Sequence, residues 1–574
     1  MRFERLPVSV LRHRYVPGGW DVLAFVLVVA FFIYLAQAAH GLTGSLARLQ
    51  ATPISLKPSA LIGYSARTGL RMLIALLASL LFTFTYATLA AKSRRAEVLL
   101  VPLLDFLQSV PILSFSIFIV FFLQLTPGRV AGAEMAAIFL IFTSQAWNMA
   151  FSFYHSLRSI PHEMVEAARN LQFSPWMRFW RLEVPFAMPP LIWNMMLSMS
   201  GGWFFVVASE AISIGSTTVT LPGVGSYIAL ANEQRNYAAI GWAILAMFVV
   251  ILIFDQVLFR PLIASADWFR LEQEVGQTAN PSWALRMMRR SRFLGLIGHA
   301  FAAMLRAGMK PPRPVAPPHP VMARFDSRLA DIFWYALLIL VGLTALWKTV
   351  TFVHGDVSVA EIGRVVLLGF ITLVRVAVLI ALASLVWVPV GVWIGMRPRV
   401  ASIVQPIAQF LAAFPANLFF GIVVSAIVML RLNPDIWLSP LMILGTQWYI
   451  LFNVIVGASA VSPELRYAAQ NIGLRGWLWW KRLALPGIFP FYVTGAITAA
   501  GGSWNASIVS EVVSWGRETV TAHGLGAYIH AATDAADFQR VVLGTVVLSL
   551  FVVTLNRLFW RPLYARAERK FRMS

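Results

Sequence analysis

The chain has 574 residues, 59% of them hydrophobic and 12% charged, with a formal net charge of +21 and no cysteine. A soluble globular domain carries about 25% charged residues and is excluded. The missing thiols exclude disulfides, thiolate metal sites and cysteine nucleophiles. Mean hydropathy is +0.73 over the whole chain, and apolar runs of about 20 residues recur, each long enough to cross the hydrocarbon core. The basic charge is therefore read as loops held on the cytoplasmic side of a membrane, not as a nucleic-acid surface.

In chain order, Arg12 and Arg14 precede an apolar run from Val22 to Ala39. A cleaved secretory signal, with Ala36-Gln37-Ala38 as its processing site, competes here with an uncleaved first span, and the length of the run favours the span. Six spans are expected in the first half, near residues 20–39, 68–91, 103–125, 132–154, 187–209 and 239–258. Six more follow near 330–350, 366–395, 404–430, 438–460, 491–512 and 540–559. Arg2, Arg5, Arg12 and Arg14, the turn with Lys92, Arg94 and Arg95, and the loop with Arg158, Arg169, Arg178 and Arg181 put both termini in the cytoplasm. The expected domains are a first membrane domain over 1–259, a linker over 260–329 and a second membrane domain over 330–574. The linker is basic and ends in the proline-rich run Pro311–Pro320, a semi-rigid tether. Trp283 to Arg306 is either a basic amphipathic helix on the membrane or part of that solvated tether.

The chain repeats itself. Glu166-Ala-Ala-Arg-Asn-Leu-Gln-Phe-Ser-Pro-Trp176 aligns with Tyr467-Ala-Ala-Gln-Asn-Ile-Gly-Leu-Arg-Gly-Trp477 at an offset of 301 residues. The same offset pairs Trp203 with Trp504, Glu210 with Glu511 and Arg260-Pro-Leu with Arg561-Pro-Leu. Upstream the offset is 304, pairing Arg71 with Arg375 and Pro111 with Pro415. Six is an even number of spans, so the halves share one orientation, as in a parallel repeat about an axis along the membrane normal.

The loop between spans four and five has the most structured sequence. Glu163 to Leu171 reads as a short helix behind Pro161, with acids in its first turns, where the helix dipole favours them. Ala167 and Ala168 leave a face that another surface can approach. Trp176, Phe179, Trp180 and Arg181 follow, and Pro185 and Pro189 are expected to break the path into span five. The second half repeats the plan with Glu464, Ala468, Ala469, Gly473, Trp477, Lys481, Arg482, Pro486 and Pro490.

These two segments resemble the EAA loop of binding-protein-dependent ABC importer permeases of the type I fold. That signature is Glu-Ala-Ala, three residues, Gly, nine residues, then Ile-x-Leu-Pro. The first half matches at Glu166, Ala167, Ala168 and Leu182-Glu-Val-Pro185, with Gln172 in place of Gly. The second matches at Ala468, Ala469, Gly473 and Leu483-Ala-Leu-Pro486, with Tyr467 in place of Glu. Leu221-Pro-Gly-Val-Gly225 with Tyr227-Ile228, and Gly524-Leu-Gly526 with Tyr528-Ile529, resemble nitrate, sulfonate and taurine-type permeases.

The resemblance implies an all-α integral membrane fold of two parallel six-helix repeats. It implies two cytoplasmic ATPase subunits docked on the two loops, a periplasmic or extracellular binding protein as a further partner, and a small anion such as nitrate, sulfonate, taurine or bicarbonate as cargo. ATP and Mg would sit on the ATPase partner, and no cofactor is expected on this chain. None of its six lysines follows a glycine, so no P-loop is present.

Polar residues in the spans carry open readings. Glu210 and Glu511 are either gate or pathway residues or wetted helix ends. Arg67, Arg71, Arg364 and Arg375 either attract an anion near the two-fold axis or snorkel to head groups. Gln145, Asn148, Asn194 and Gln447 either line a polar path or join helices. The nine histidines show no metal-ligand grouping. A secondary transporter of 6+6 helices is the alternative function. Against it, the repeat signature lies after span four, not between spans two and three. A membrane enzyme or scaffold lacks any catalytic grouping.

Overall fold

A computed structural model describes residues 53–109, 117–214, 217–266, 327–354, 357–516 and 518–571, with isolated positions near residue 25. Apart from those isolated positions, the first expected span lies outside the described residues, as do the Trp283–Arg306 segment and the proline-rich run. The chain divides into two units by packing. The smaller contains Ile160–Ile192 and the segment from Phe254; the larger contains Thr43–Ser159, Trp193–Ile253 and His319–Ser574.

Among the described residues, eight helices are long and apolar enough to cross a membrane, and up to ten if each of two bent pairs is one span. In the larger unit the helix Ala60–Lys92 lies against Val130–Arg158, and its repeat-mate Val359–Gly395 lies against Gln447–Ala460. Small residues at these seams permit close approach. A Cβ on Gly391 would meet the Val454 side chain at 2.7 Å, and one on Gly395 would meet the Ala458 Cβ at the same distance. The helix Ser327–His354 presents Phe333, Leu340, Leu346 and Trp347 outward, the arrangement of a peripheral span whose apolar surface faces lipid.

Three expectations need correction. The third span of the second half is not one rod: Pro398–Ala413 ends before Pro415, and Phe420–Met429 resumes after a 3-10 turn over Ala416–Phe419. Pro415 cannot continue the helix before it, which accounts for the break. The fourth span of that half is bent by 45° between Pro434–Leu444 and Gln447–Ala460. The prolines after the EAA-like loops do not interrupt the path into span five. Each path is continuous, over Pro175–Ser209 and Gly476–Ser510.

The continuity has a local cause. A π turn covers Phe179–Glu183 ahead of Pro185, and another covers Trp480–Ala484 ahead of Pro486. Two more, Phe254–Phe259 and Asn556–Trp560, precede Pro261 and Pro562. All four end two residues before a proline. The proline has no N–H to donate and its ring crowds the carbonyl four residues back, so the register upstream widens instead of breaking.

The fold is not purely helical. After Glu210 the strands β1 (Ala211–Ile214) and β2 (Thr217–Thr220) pair antiparallel, and after Glu511 so do β3 (Val512–Trp515) and β4 (Glu518–Thr521). The Gly516 turn of the second hairpin has φ +65°, which glycine adopts without strain. Each hairpin leads into a short helix, Val224–Glu233 or Leu525–Asp534. The second hairpin reaches the first repeat: the Gly516 amide donates to the Asn232 carbonyl at 2.9 Å, and Arg235 lies 3.5 Å from Glu518.

Candidate functional site: two coupling loops and two buried carboxylate cradles

The first EAA-like loop forms the helix His162–Asn170 with Pro161 as its N-cap. The second forms Pro463–Asn471, capped by the Ser462 hydroxyl, which accepts from the Leu465 amide. Glu464's own amide and the Ser462 hydroxyl hold its exposed carboxylate below the usual range. Both helices end in the same C-cap. Phe173 donates to the Ala168 carbonyl at 3.0 Å, and Leu474 to the Ala469 carbonyl at 2.9 Å. The residue between must be left-handed. Gly473 meets that at φ +72° and Gln172 at φ +51°, so the first loop keeps the geometry despite lacking the glycine.

The alanine pair divides its work. Ala168 and Ala469 are each 4% exposed, whereas Ala167 and Ala468 face outward. Ala469 packs with Val461 and Leu483 inside the chain, which corrects the expectation that both alanines of a pair are offered to another surface. Glu163, Glu166 and Gly473 are exposed, while Leu182, Pro185 and Pro486 are half-buried. The loops also differ. Tyr467, Ile472 and Trp477 stand outward on the second, where the first presents Glu166, Leu171 and Trp176. Arg466 ties the second helix to its own half by donating to the Ala458 carbonyl at 2.8 Å. On the first loop Arg178 pairs with buried Glu183 at 2.9 Å.

The four charged residues singled out in spans two and five come together as two matching pairs. Arg71 reaches Glu210 at 2.6 Å and Glu134 at 2.5 Å. Arg375 reaches Glu511 at 3.4 Å and Asp435 at 2.7 Å. Glu210 is 0% exposed, Glu511 1% and Arg71 3%. These glutamates are therefore not wetted helix ends, and Arg71 does not snorkel. Arg67 and Arg364 are exposed.

A buried carboxylate persists only when its lone pairs are met, and each half meets them in the same way. The Thr68 hydroxyl donates to Glu210 at 2.6 Å and accepts from the Val224 amide at 3.1 Å. Thr372 does the same for Glu511 and Leu525, both at 3.0 Å. The amides of Gly225 and Ala527 donate to the second carboxylate oxygens at 2.6 and 2.9 Å. Each glutamate thus sits at the positive end of the short helix after its hairpin. A Cβ on Gly223 or Gly524 would overlap that carboxylate, so these glycines are set by close approach. Sequence reasoning missed Glu134 and Asp435. They stand 301 residues apart, which was the available signal.

A cavity of about 410 Å³ lies in the larger unit between the two repeats, with Asn148, Phe204, Gly501, Trp504 and Asn505 in its wall. None of Arg71, Arg375, Glu210 and Glu511 lines it. Of the four polar candidates only Asn148 does. Gln145 contacts Met72, Asn194 bonds Ser152, and Gln447 accepts from Trp387.

The duplicated spans, the paired loops and a cavity between the repeats define a transport protein of the membrane. The chain belongs to the family of binding-protein-dependent transport system inner membrane components, whose profile matches residues 79–260 and again 387–561. It is a multi-pass inner-membrane permease subunit, and the family carries no ATPase domain. Among relatives, the nitrate import permease protein NrtB of Synechocystis sp. is 24% identical over 35% of this chain and 70% of its own length. The bicarbonate transport system permease protein CmpB of Synechococcus elongatus is 26% identical over 32% and 64%. The osmoprotectant import permease protein OsmW of Salmonella typhimurium is 24% identical over 35% and 90%. Matches to CmpB proteins cover as little as 42% of the relative.

Proposed function

We propose that this chain is the complete membrane-spanning unit of an ATP-driven importer, with two type I permease domains of six spans each fused in parallel. The observation that carries the reading is the duplicated coupling helix with its shared C-cap. Two rigid helices, each followed by a π turn and a continuous span, give a separate ATPase pair two levers. Closure of the ATPases on ATP and Mg moves the levers, and the repeats rock about the cavity. On this reading both termini and both coupling loops are cytoplasmic, residues 260–329 are a cytoplasmic linker, and a binding protein delivers cargo from the opposite side.

The Arg71–Glu210 and Arg375–Glu511 pairs then act as rivets. Each holds span two to the outer end of span five and to the helix after the hairpin, so these elements move together. Relatives named for nitrate and bicarbonate transport support a small anion as cargo, and relatives named for taurine transport and osmoprotectant import support a small organic solute.

Affinity purification from native membranes in mild detergent tests the coupling. An ATPase is expected to co-purify with the parent chain and to be lost from the Ala167→Arg/Ala468→Arg variant. Recovery of no ATPase with the parent chain would favour the ion-gradient alternative.

A further inference from the structure

Resting on the permease reading, we infer that the cavity between the repeats takes an organic solute of no net charge, a zwitterion whose cationic end meets aromatic rings, and not a bare inorganic oxyanion. Among the described residues no cationic side chain lines the cavity. The charged group in its wall is Asp105, and Arg561 closes on that carboxylate at 2.6 Å from outside the wall. A small oxyanion entering here would find no counter-charge for whatever part of its hydration shell it gives up, which is costly for a compact ion.

The rest of the wall favours another guest. Trp147 and Phe204 come from the first repeat, Trp504 and Trp560 from the second. Aromatic faces are electron-rich and attract ammonium-type groups, whereas they repel anions. Neutral donors stand beside them. The Asn148 side chain accepts from Gln108 through its oxygen at 3.3 Å, which leaves its amide hydrogens for a guest. Neutral donors satisfy the anionic end of a zwitterion without adding charge. A volume of about 410 Å³ also lies in the range of sites for organic ligands, roughly 300–1,000 Å³.

The wall offers a clean obstruction. A Cβ on Gly501 would meet no heavy atom within 4 Å, so a larger side chain there extends into open space. The experiment compares uptake of labelled nitrate, bicarbonate, taurine and trimethylglycine by cells carrying the whole transporter with its native partners. The same cells lacking this chain, and cells with Gly501→Trp or the milder Gly501→Leu, are run beside them, with membrane abundance checked by immunoblot.

Deletion is expected to lower taurine or trimethylglycine uptake at least tenfold and leave nitrate and bicarbonate uptake unchanged. Gly501→Trp at parental abundance is expected to reproduce the deletion. Loss of nitrate or bicarbonate uptake with both zwitterions unaffected overturns the inference. So does a deletion that changes none of the four probes, or zwitterion uptake that survives both Gly501 variants. In each of these cases the permease reading stands as long as an ATPase co-purifies with the parent chain; it fails separately if none does.

Discussion

Arg71 shows why a charge inside a span must be read with its partners. Alone it would be expelled to the head groups; with Glu210, Glu134 and Thr68 around it, it is 3% exposed. Removing one member of such a pair strands the other charge, at a cost of about 3–5 kcal/mol, while replacing both with apolar groups is often close to neutral. Arg71→Met alone is therefore expected to lower the midpoint of thermal unfolding in detergent sharply. Arg71→Met with Glu134→Leu and Glu210→Leu is expected to recover part of that loss. Gly223→Ala should be as harmful as the single charge removal, because its methyl group would overlap Glu210. Gln172, left-handed at φ +51°, carries strain of about 1–2 kcal/mol that a glycine would not. Gln172→Gly is thus expected to slow hydrogen exchange across His162–Asn170.

Coupling helices were legible in the sequence because everything that defines them is local. Pro161 sets the start of the first, the acids follow, and the alanine pair recurs at one spacing. The π turns and hairpins were not legible. A π turn is one extra residue in a helical pattern, with no periodicity of its own. Strands of four residues between a helix end and a glycine are too short for alternation to register. The Arg–Glu pairs join residues 139 and 136 apart, so no local pattern links them, although the common offsets marked all four as equivalent.

The separation of buried Ala168 and Ala469 from exposed Ala167 and Ala468 sharpens the mutational test at this scale. Charged substitutions at the buried pair are expected to destabilise the chain itself. Arginine at the exposed pair is expected to abolish ATPase recovery with the unfolding midpoint unchanged. A single substitution should weaken recovery more at Ala468 than at Ala167, since the second loop presents more apolar surface around it.

At the scale of the whole chain, duplication was the strongest signal in the sequence, and the family profile matches both copies. The copies differ on the outward face of the loop helix and in the cavity wall, and stay alike where each holds itself together. Glu166 has become Tyr467, and Phe204 stands where the second repeat has Asn505, whereas the carboxylate cradles keep nearly every contact. On the proposed reading, one chain supplies both halves of a two-fold transporter, with two docking loops for two ATPases. Native mass spectrometry of the complex released from its own membranes, with ATP hydrolysis followed on the same sample, tests this most directly. The account predicts one copy of this chain with two ATPase subunits and active hydrolysis. Two copies of this chain per ATPase pair, or a chain that leaves the membrane with no ATPase, would contradict it.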